Sequence, residues 1–266
     1  MFTTVQRSLC FAQCIFQFSH KRSFSKNGAL LYGKKVKVVT LDALNTLVRL
    51  QEPPGHTYAK FAKLITNVQY SGSDLNEAFE RNFKKLSKMK SCYGYGENGE
   101  VEWWTELVKN CFADIGNKKI EINEVAHRLY EHYGTIKPWK LIDTQIHQHL
   151  KQLQDRSIRL GIISNFDKRL RNILDMLKLS PYFEVVLLSG EIGIEKPNKE
   201  IFTKAAKLFQ ITQMEEILHI GDDEEKDFSA ARNAGARALL LDYSGQKNEP
   251  TNCVIYSLKE LINWLQ

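Results

Sequence analysis

The sequence predicts an α/β protein, a doubly wound and mainly parallel sheet with an all-helical segment inserted after its first strand. Three observations carry that expectation. The apolar run VKVVTLD near the front reads as a lone buried strand. From His56 to about Tyr133 apolar residues recur at helical spacing while strand signals are scarce. From Trp139 onward strand-like and helix-like segments alternate, which implies parallel βαβ units.

The elements follow in order. After VKVVTLD, a turn region holds Pro53, Pro54 and Gly55. In the insert, Tyr58, Phe61, Ala62 and Ile65 share one helical face, as do Leu75, Phe79, Phe83 and Leu86. SCYGYGENGE reads as a loop, with Trp103 and Trp104 opening the next helix; no strand precedes its glycines, which argues against a phosphate cradle. His127 and His132 lack metal-ligand spacing and read as surface or packing residues.

Beyond the insert come a helix carrying Ile142, Ile146, Leu150 and Leu153, the strand SIRLGIIS, a helix around LRNILDMLKL and the strand FEVVLLS. A helix from Lys199 to Phe209, the strand ILHIGD, a helix through DFSAARNAG and the strand ARALLLD come next. Ser257 and Glu260 have the spacing of a capping box at the start of the final helix. The chain therefore divides into a basic leader over residues 1–35, an α/β core over 36–54 and 136–266, and a helical insert over 55–135.

Charge sharpens that division. The formal net charge is +6, yet residues 1–41 hold Arg7, Lys21, Arg22, Lys26, Lys34, Lys35 and Lys37 without a single acid. The remainder is close to neutral and offers no basic footprint for nucleic acid. The leader is rich in Ser, Thr, Arg and aromatic residues, as mitochondrial presequences are, and RSFS places a cleavage point after Phe24. A mitochondrial matrix address is the expectation, with a plain disordered tail on a cytoplasmic or nuclear protein as the alternative. LCFAQCIFQF is interrupted by Gln, lacks a small-residue cleavage site and is too short to span a bilayer, so neither a secretory signal nor a membrane anchor is expected. Cys10 and Cys14 lie in the leader, and Cys92, Cys111 and Cys253 are too dispersed for a disulfide framework or a zinc site. Nothing in the sequence specifies an oligomeric state.

Polar residues punctuate the predicted strands at one end. Asp42 closes the first; Ser164 and Asn165 close LGIIS; Lys196 lies in EKPNKEIF after FEVVLLS; Asp222 closes ILHIGD and Asp227 follows five residues later. Taken singly, each has a bland reading, as a turn former, a surface lysine or a carboxylate at a helix start. In a doubly wound sheet, however, these strand ends share one edge, where ligands bind. Asp42, Asp222 and Asp227 crowded there would repel one another unless a cation intervened, and an all-oxygen donor set suits Mg²⁺. Lys196 supplies fixed positive charge and Ser164 a hydroxyl donor for phosphoryl oxygens, which leaves Asp42 as the nucleophile. Ser164, Asn165 and Lys196 are the candidate substrate-binding residues, and a small phosphorylated or acidic metabolite is the expected partner.

In this order the motifs resemble those of the haloacid dehalogenase-like hydrolase superfamily, from Val36 to Gln266. TLDALNTL is similar to the first motif through Asp42, Thr46 and Leu47, and GIISN to the second through Ser164; EKPNKEIF is similar to the third through Lys196, and GDDEEKD to the fourth through Asp222 and Asp227. The resemblance implies a Rossmann-like core, a helical cap that closes over the strand ends and selects substrate, and an aspartyl-phosphate intermediate on Asp42. It also implies that the backbone carbonyl of Leu44 is a metal ligand.

The chain departs from the family pattern at that residue. Phosphatases of the superfamily carry a second aspartate two positions after the nucleophile, which protonates the leaving group and then activates water. Here that position is Leu44, and a positioned proton donor is worth roughly 10²–10⁴-fold. Three outcomes fit: a phosphohydrolase restricted to leaving groups that need little protonation, a silent binding protein, or a metal-independent 2-haloacid dehalogenase, whose departing halide needs no proton. Asn45 stands where the family usually has Gly, a substitution that Asn tolerates through its access to left-handed backbone.

Overall fold

The computed structural model describes residues 35–96, 99–116, 122–245 and 253–265. They lie within one contact-connected unit, Lys34–Gln266. The leader expected over residues 1–35, its two cysteines and its cleavage point after Phe24 fall outside the described residues, save Lys35. Among the described residues no helix is long and apolar enough to cross a membrane.

The core sheet contains β1 (Val38–Leu41), β4 (Arg159–Ser164), β5 (Val185–Leu188), β6 (Ile217–Gly221), β7 (Arg237–Leu241) and β8 (Val254–Ile255). Its order is β5-β4-β1-β6-β7-β8, with every neighbouring pair parallel. The chain thus builds outward from β1 in one direction and later returns to its other side. That reversal makes the carboxyl end of β1 the topological switch point, where open α/β sheets bind ligands.

Strand periodicity assigns the faces. Val39, Leu41, Leu160, Ile162, Leu218 and Ile220 enter one buried cluster. Two helices bring Ile146, Leu150 and Leu153, and Leu258, Leu261 and Ile262, into the same cluster; they are α5 (Ile146–Asp155) and α10 (Leu258–Trp264). Between them in sequence, α6 (Arg169–Met176) adds Leu170, Ile173 and Leu174 to it. After the one-turn α7 (Ser189–Ile192) comes α8 (Glu200–Leu208), and Val38, Ile163 and Ile217 face the other way, against its Ile201, Phe202 and Ala205. Thr40 and His219, on that second face, are register partners and bond to each other at 2.9 Å between Oγ1 and Nδ1.

The insert is a bundle of α1 (Pro54–Thr66), α2 (Gly72–Met89), α3 (Glu100–Asp114) and α4 (Ile122–Tyr133). Tyr58, Leu75, Leu86, Trp103, Phe112 and Leu129 form its own buried core. The antiparallel pair β2 (Val48–Leu50) and β3 (Trp139–Leu141) ties the two chain crossings between insert and core.

Several local expectations are corrected. Pro54 opens α1 instead of lying in a turn, because proline's missing N–H costs nothing in the first helical turn. The helix expected to carry Ile142 starts only at Ile146: β3 intervenes, and Asp143 Oδ1 takes the Gln145 N–H at 2.8 Å, a local bond that competes with helix. Trp103 and Trp104 lie inside α3, which opens at Glu100, and the loop before it contains a 3₁₀ turn at Cys92–Gly94. The helix through DFSAARNAG begins as a π-turn, Glu224–Ser229, and only then continues as α9 (Ala230–Asn233). The short strands β2, β3 and β8 had no periodic signal to betray them.

Candidate active site

Asp42 follows β1 directly, its backbone N–H still donating to the Ile220 carbonyl at 2.8 Å, so strand pairing fixes where its side chain starts. Asp42 as a whole is 7% exposed. Lys196, 3% exposed, reaches it from the segment after β5 with Nζ 2.6 Å from Asp42 Oδ1 and 2.5 Å from Asp227 Oδ1. Residues 154 and 31 positions from Lys196 in the chain therefore meet on one ammonium.

Asp227 is positioned by the π-turn. Asp223 opens that turn, accepting the Glu225 and Lys226 N–H groups, and both Asp227 and Phe228 donate their N–H to the Asp223 carbonyl. The widened turn directs Asp227 inward. Oδ2 accepts the Asp223 N–H at 3.0 Å, and Oδ1 lies 3.2 Å from His219 Nε2. Gly221 makes room: a Cβ there would come within 2.1 Å of Asp227 Cγ. Burial lowers the pKa of His219, favouring a neutral ring, and a neutral ring satisfies both neighbours if Nε2–H donates to Asp227 and Nδ1 accepts from Thr40. A buried polar chain thus runs Thr40, His219, Asp227, Lys196, Asp42.

Their electrostatics separate the two carboxylates. Burial pushes Asp42 up to about 6; Lys196 pulls it down, while Asp227 and Asp222 add to the rise. Burial would raise Asp227 as well, but Lys196 and the His219 bond hold it well below the usual carboxylate range. Lys196 stays charged, since its two carboxylates outweigh the burial that would discharge it.

Asp222 lies just beyond β6, partly exposed, and Asn45 Nδ2 donates to its Oδ2 at 3.3 Å. Asn45 has φ of 59°, the left-handed conformation its side chain tolerates. Asp42, Asp222 and Asp227 each present an oxygen within 4.8 Å of the others. Three carboxylates against one ammonium leave a surplus of two negative charges, which fits a divalent cation. Asp42 and Asp222 are the better placed donors, because both oxygens of Asp227 already accept bonds from Lys196, His219 and Asp223.

Ser164 ends β4, 1% exposed and beside Leu188 in the sheet register. Asn165, next in sequence, is a brace: Nδ2 donates to the Lys196 carbonyl and Oδ1 accepts the Lys196 N–H, each at 2.8 Å. Leu44, 36% exposed, occupies the turn after Asp42 in an isolated bridge to Val48. The strand-end residues singled out in the sequence thus gather at the sheet's carboxyl edge, with Leu44 in the turn beside them.

Sequence reasoning missed the groups that hold this set. Thr40 and His219 were visible as polar residues inside apolar strands, while Asp167 gave no signal. Asp167 is fully buried, bound by Arg169 Nε at 2.9 Å and by Trp104 Nε1 of the insert at 2.7 Å. The Arg169 guanidinium lies over the rings of Trp104 and Tyr130, 4.7 and 4.3 Å from their centroids. The insert is thereby packed against the loop that follows β4.

Comparison with known proteins agrees with this architecture. The profile of the haloacid dehalogenase-like hydrolase family matches residues 36–235. Haloacid dehalogenase-like hydrolase domain-containing protein 3 of Bos taurus is 29% identical over 236 residues, covering 86% of this chain and 93% of that protein. Among solved structures, the magnesium-bound putative hydrolase YfnB of Bacillus subtilis superimposes with a TM-score of 0.67 at 20% identity, over 87% of this chain and 99% of that one. A 2-haloacid dehalogenase from Pseudomonas syringae gives a TM-score of 0.60 at 19% identity, over 86% and 98%. Likeness at such identity speaks to the fold alone.

Proposed function

The chain belongs to the haloacid dehalogenase-like hydrolase family, and from that premise we propose that it is a Mg²⁺-dependent phosphohydrolase of small phosphorylated metabolites, restricted by Leu44 to good leaving groups. The observation that carries the reading is the Lys196 ammonium bound between Asp42 and Asp227 beside Asp222. A phosphoryl group in this site would meet a nucleophile, a fixed cation and a hydroxyl at once.

Asp42 and Asp222, with the Leu44 carbonyl, would hold Mg²⁺, which when bound offsets the carboxylate charge and admits an anionic substrate. Lys196 and Ser164 orient phosphoryl oxygens and stabilise the charge that develops on them. An Asp42 oxygen attacks phosphorus; the new O–P bond forms as the bond to the leaving group breaks, and the leaving group departs with the electron pair. With leucine at position 44, no side chain there donates a proton to it. Acyl and aryl phosphates, whose leaving groups are stable as anions, are the substrates this arrangement favours. The aspartyl-phosphate is then cleaved by water, also without a base at position 44, so it should accumulate. The basic leader supports a mitochondrial address for this activity.

Mass spectrometry tests the covalent step. Acetyl phosphate with Mg²⁺ should add one phosphoryl group to the peptide containing Asp42, and Asp42→Asn should abolish the adduct. An adduct on the Asp42→Asn protein, or equal hydrolysis by both proteins, would rule the mechanism out.

The exposed Leu44 favours a second reading, a binding protein that retains the site without turnover. It predicts that phosphate compounds raise the melting temperature while no phosphoryl adduct and no hydrolysis appear.

A further inference from the structure

One short loop of the insert reaches the segments on either side of Lys196. Between α2 and α3, Cys92 and Tyr93 adopt consecutive left-handed conformations, with φ of 50° and 56°. For residues other than glycine this conformation is strained and persists only where surrounding contacts enforce it. Those contacts lie on both sides. Within the insert, the Tyr93 ring stacks on Trp104, 5.8 Å between centroids and 17° between planes, and meets Trp103 edge-on at 5.2 Å. Toward the core, Tyr93 OH donates to the Asn165 carbonyl at 2.7 Å, and the Cys92 N–H donates to Glu195 Oε2 at 3.1 Å. Tyr95 packs so closely on Gly193 that a Cβ there would lie 2.4 Å from the ring.

These core contacts fall on two segments, Ser164–Asp167 after β4 and Gly193–Lys196 after β5. Asn165 already joins them through its two bonds to the Lys196 backbone. Tyr93 therefore completes an uninterrupted chain from the insert to the nucleophile: Tyr93 hydroxyl, Asn165, Lys196, Asp42. Burial, with Asp167 and Glu195 nearby, keeps the phenol protonated and hence a donor.

We propose that Tyr93 is a positioning residue for Lys196, its hydroxyl fixing Asn165 so that the site is fully assembled only with the helical insert seated on the sheet edge. The catalytic consequence rests on the phosphohydrolase reading; the mechanical link does not.

Tyr93→Phe removes the hydroxyl and keeps the stacked ring. Tyr130→Phe is the control, removing a hydroxyl that bonds Glu100 at 2.7 Å within the insert. In the full-length protein, hydrogen exchange of the Lys196 amide should quicken by about tenfold in Tyr93→Phe and not in the control, the equivalent of about 1.4 kcal/mol and within what one buried hydrogen bond contributes. Core strand amides should be unaffected in both. Acetyl phosphate hydrolysis should fall about tenfold in kcat with KM little changed, the kinetic equivalent of the same energy. Unchanged Lys196 exchange, or exchange raised equally across the core, overturns the proposal whether or not the wild type is a hydrolase. Local loosening alongside wild-type turnover that Tyr93→Phe leaves intact also overturns it. Local loosening with no turnover by either protein upholds the link and defeats the phosphohydrolase reading.

Discussion

Lys196 and Leu44 are the two residues on which the site's behaviour turns. Lys196 is almost fully buried between two carboxylates, so its removal leaves Asp42 and Asp227 without their counter-ion. Breaking a buried pair in this way costs about 3–5 kcal/mol, much more than surface ion pairs contribute. Lys196→Met, which keeps the side-chain volume, should therefore lower the denaturation midpoint strongly near neutral pH. The loss should shrink as pH falls, because protonation removes the uncompensated charges. Equal loss at about pH 4 and about pH 7 would mean that packing and not charge is what Lys196 supplies. Leu44 shows the limit of reading a residue by type: its side chain cannot transfer a proton, while the proposed Mg²⁺ site asks only for its backbone carbonyl.

At the scale of elements, the strand ends were legible because polar residues interrupt apolar runs, and a shared edge follows from parallel topology. Asp42, Ser164, Asn165, Asp222 and Asp227 could be picked out in this way. What could not be read was the means of holding them. The π-turn Glu224–Ser229 looks helical in sequence, since Phe228, Ala230 and Ala231 keep a helical rhythm; its extra width appears in the bonds of the Phe228 N–H to the Asp223 carbonyl and of the Ala230 N–H to the Glu225 carbonyl. The β2–β3 pair joins residues 89 to 93 positions apart in the chain over three residues each, too few for any periodic signal. Gly221 connects element to site. Gly221→Ala should keep the secondary structure by circular dichroism, cost about 1–3 kcal/mol through overpacking, and displace Asp227 from Lys196. A variant with wild-type stability and activity would show that the close contact between Gly221 and Asp227 is relieved elsewhere.

For the whole molecule, the division into sheet and helical insert follows from two hydrophobic periods in one chain, and each part has its own buried core. The sequence could not show how the two parts meet. The Trp104–Asp167–Arg169 contact and the Tyr93–Asn165 bond join residues 63 and 72 positions apart, and neither involves a motif. The central claim is that the site is assembled and lacks only a proton-transfer group at position 44. Hydrolysis of unactivated phosphate esters by wild type and Leu44→Asp, measured side by side with Mg²⁺, tests it most directly. The account predicts that Leu44→Asp gains on the order of 10²-fold or more, and that adding Asp42→Asn abolishes the gain. No gain in a folded Leu44→Asp protein, or a gain that survives Asp42→Asn, would contradict it.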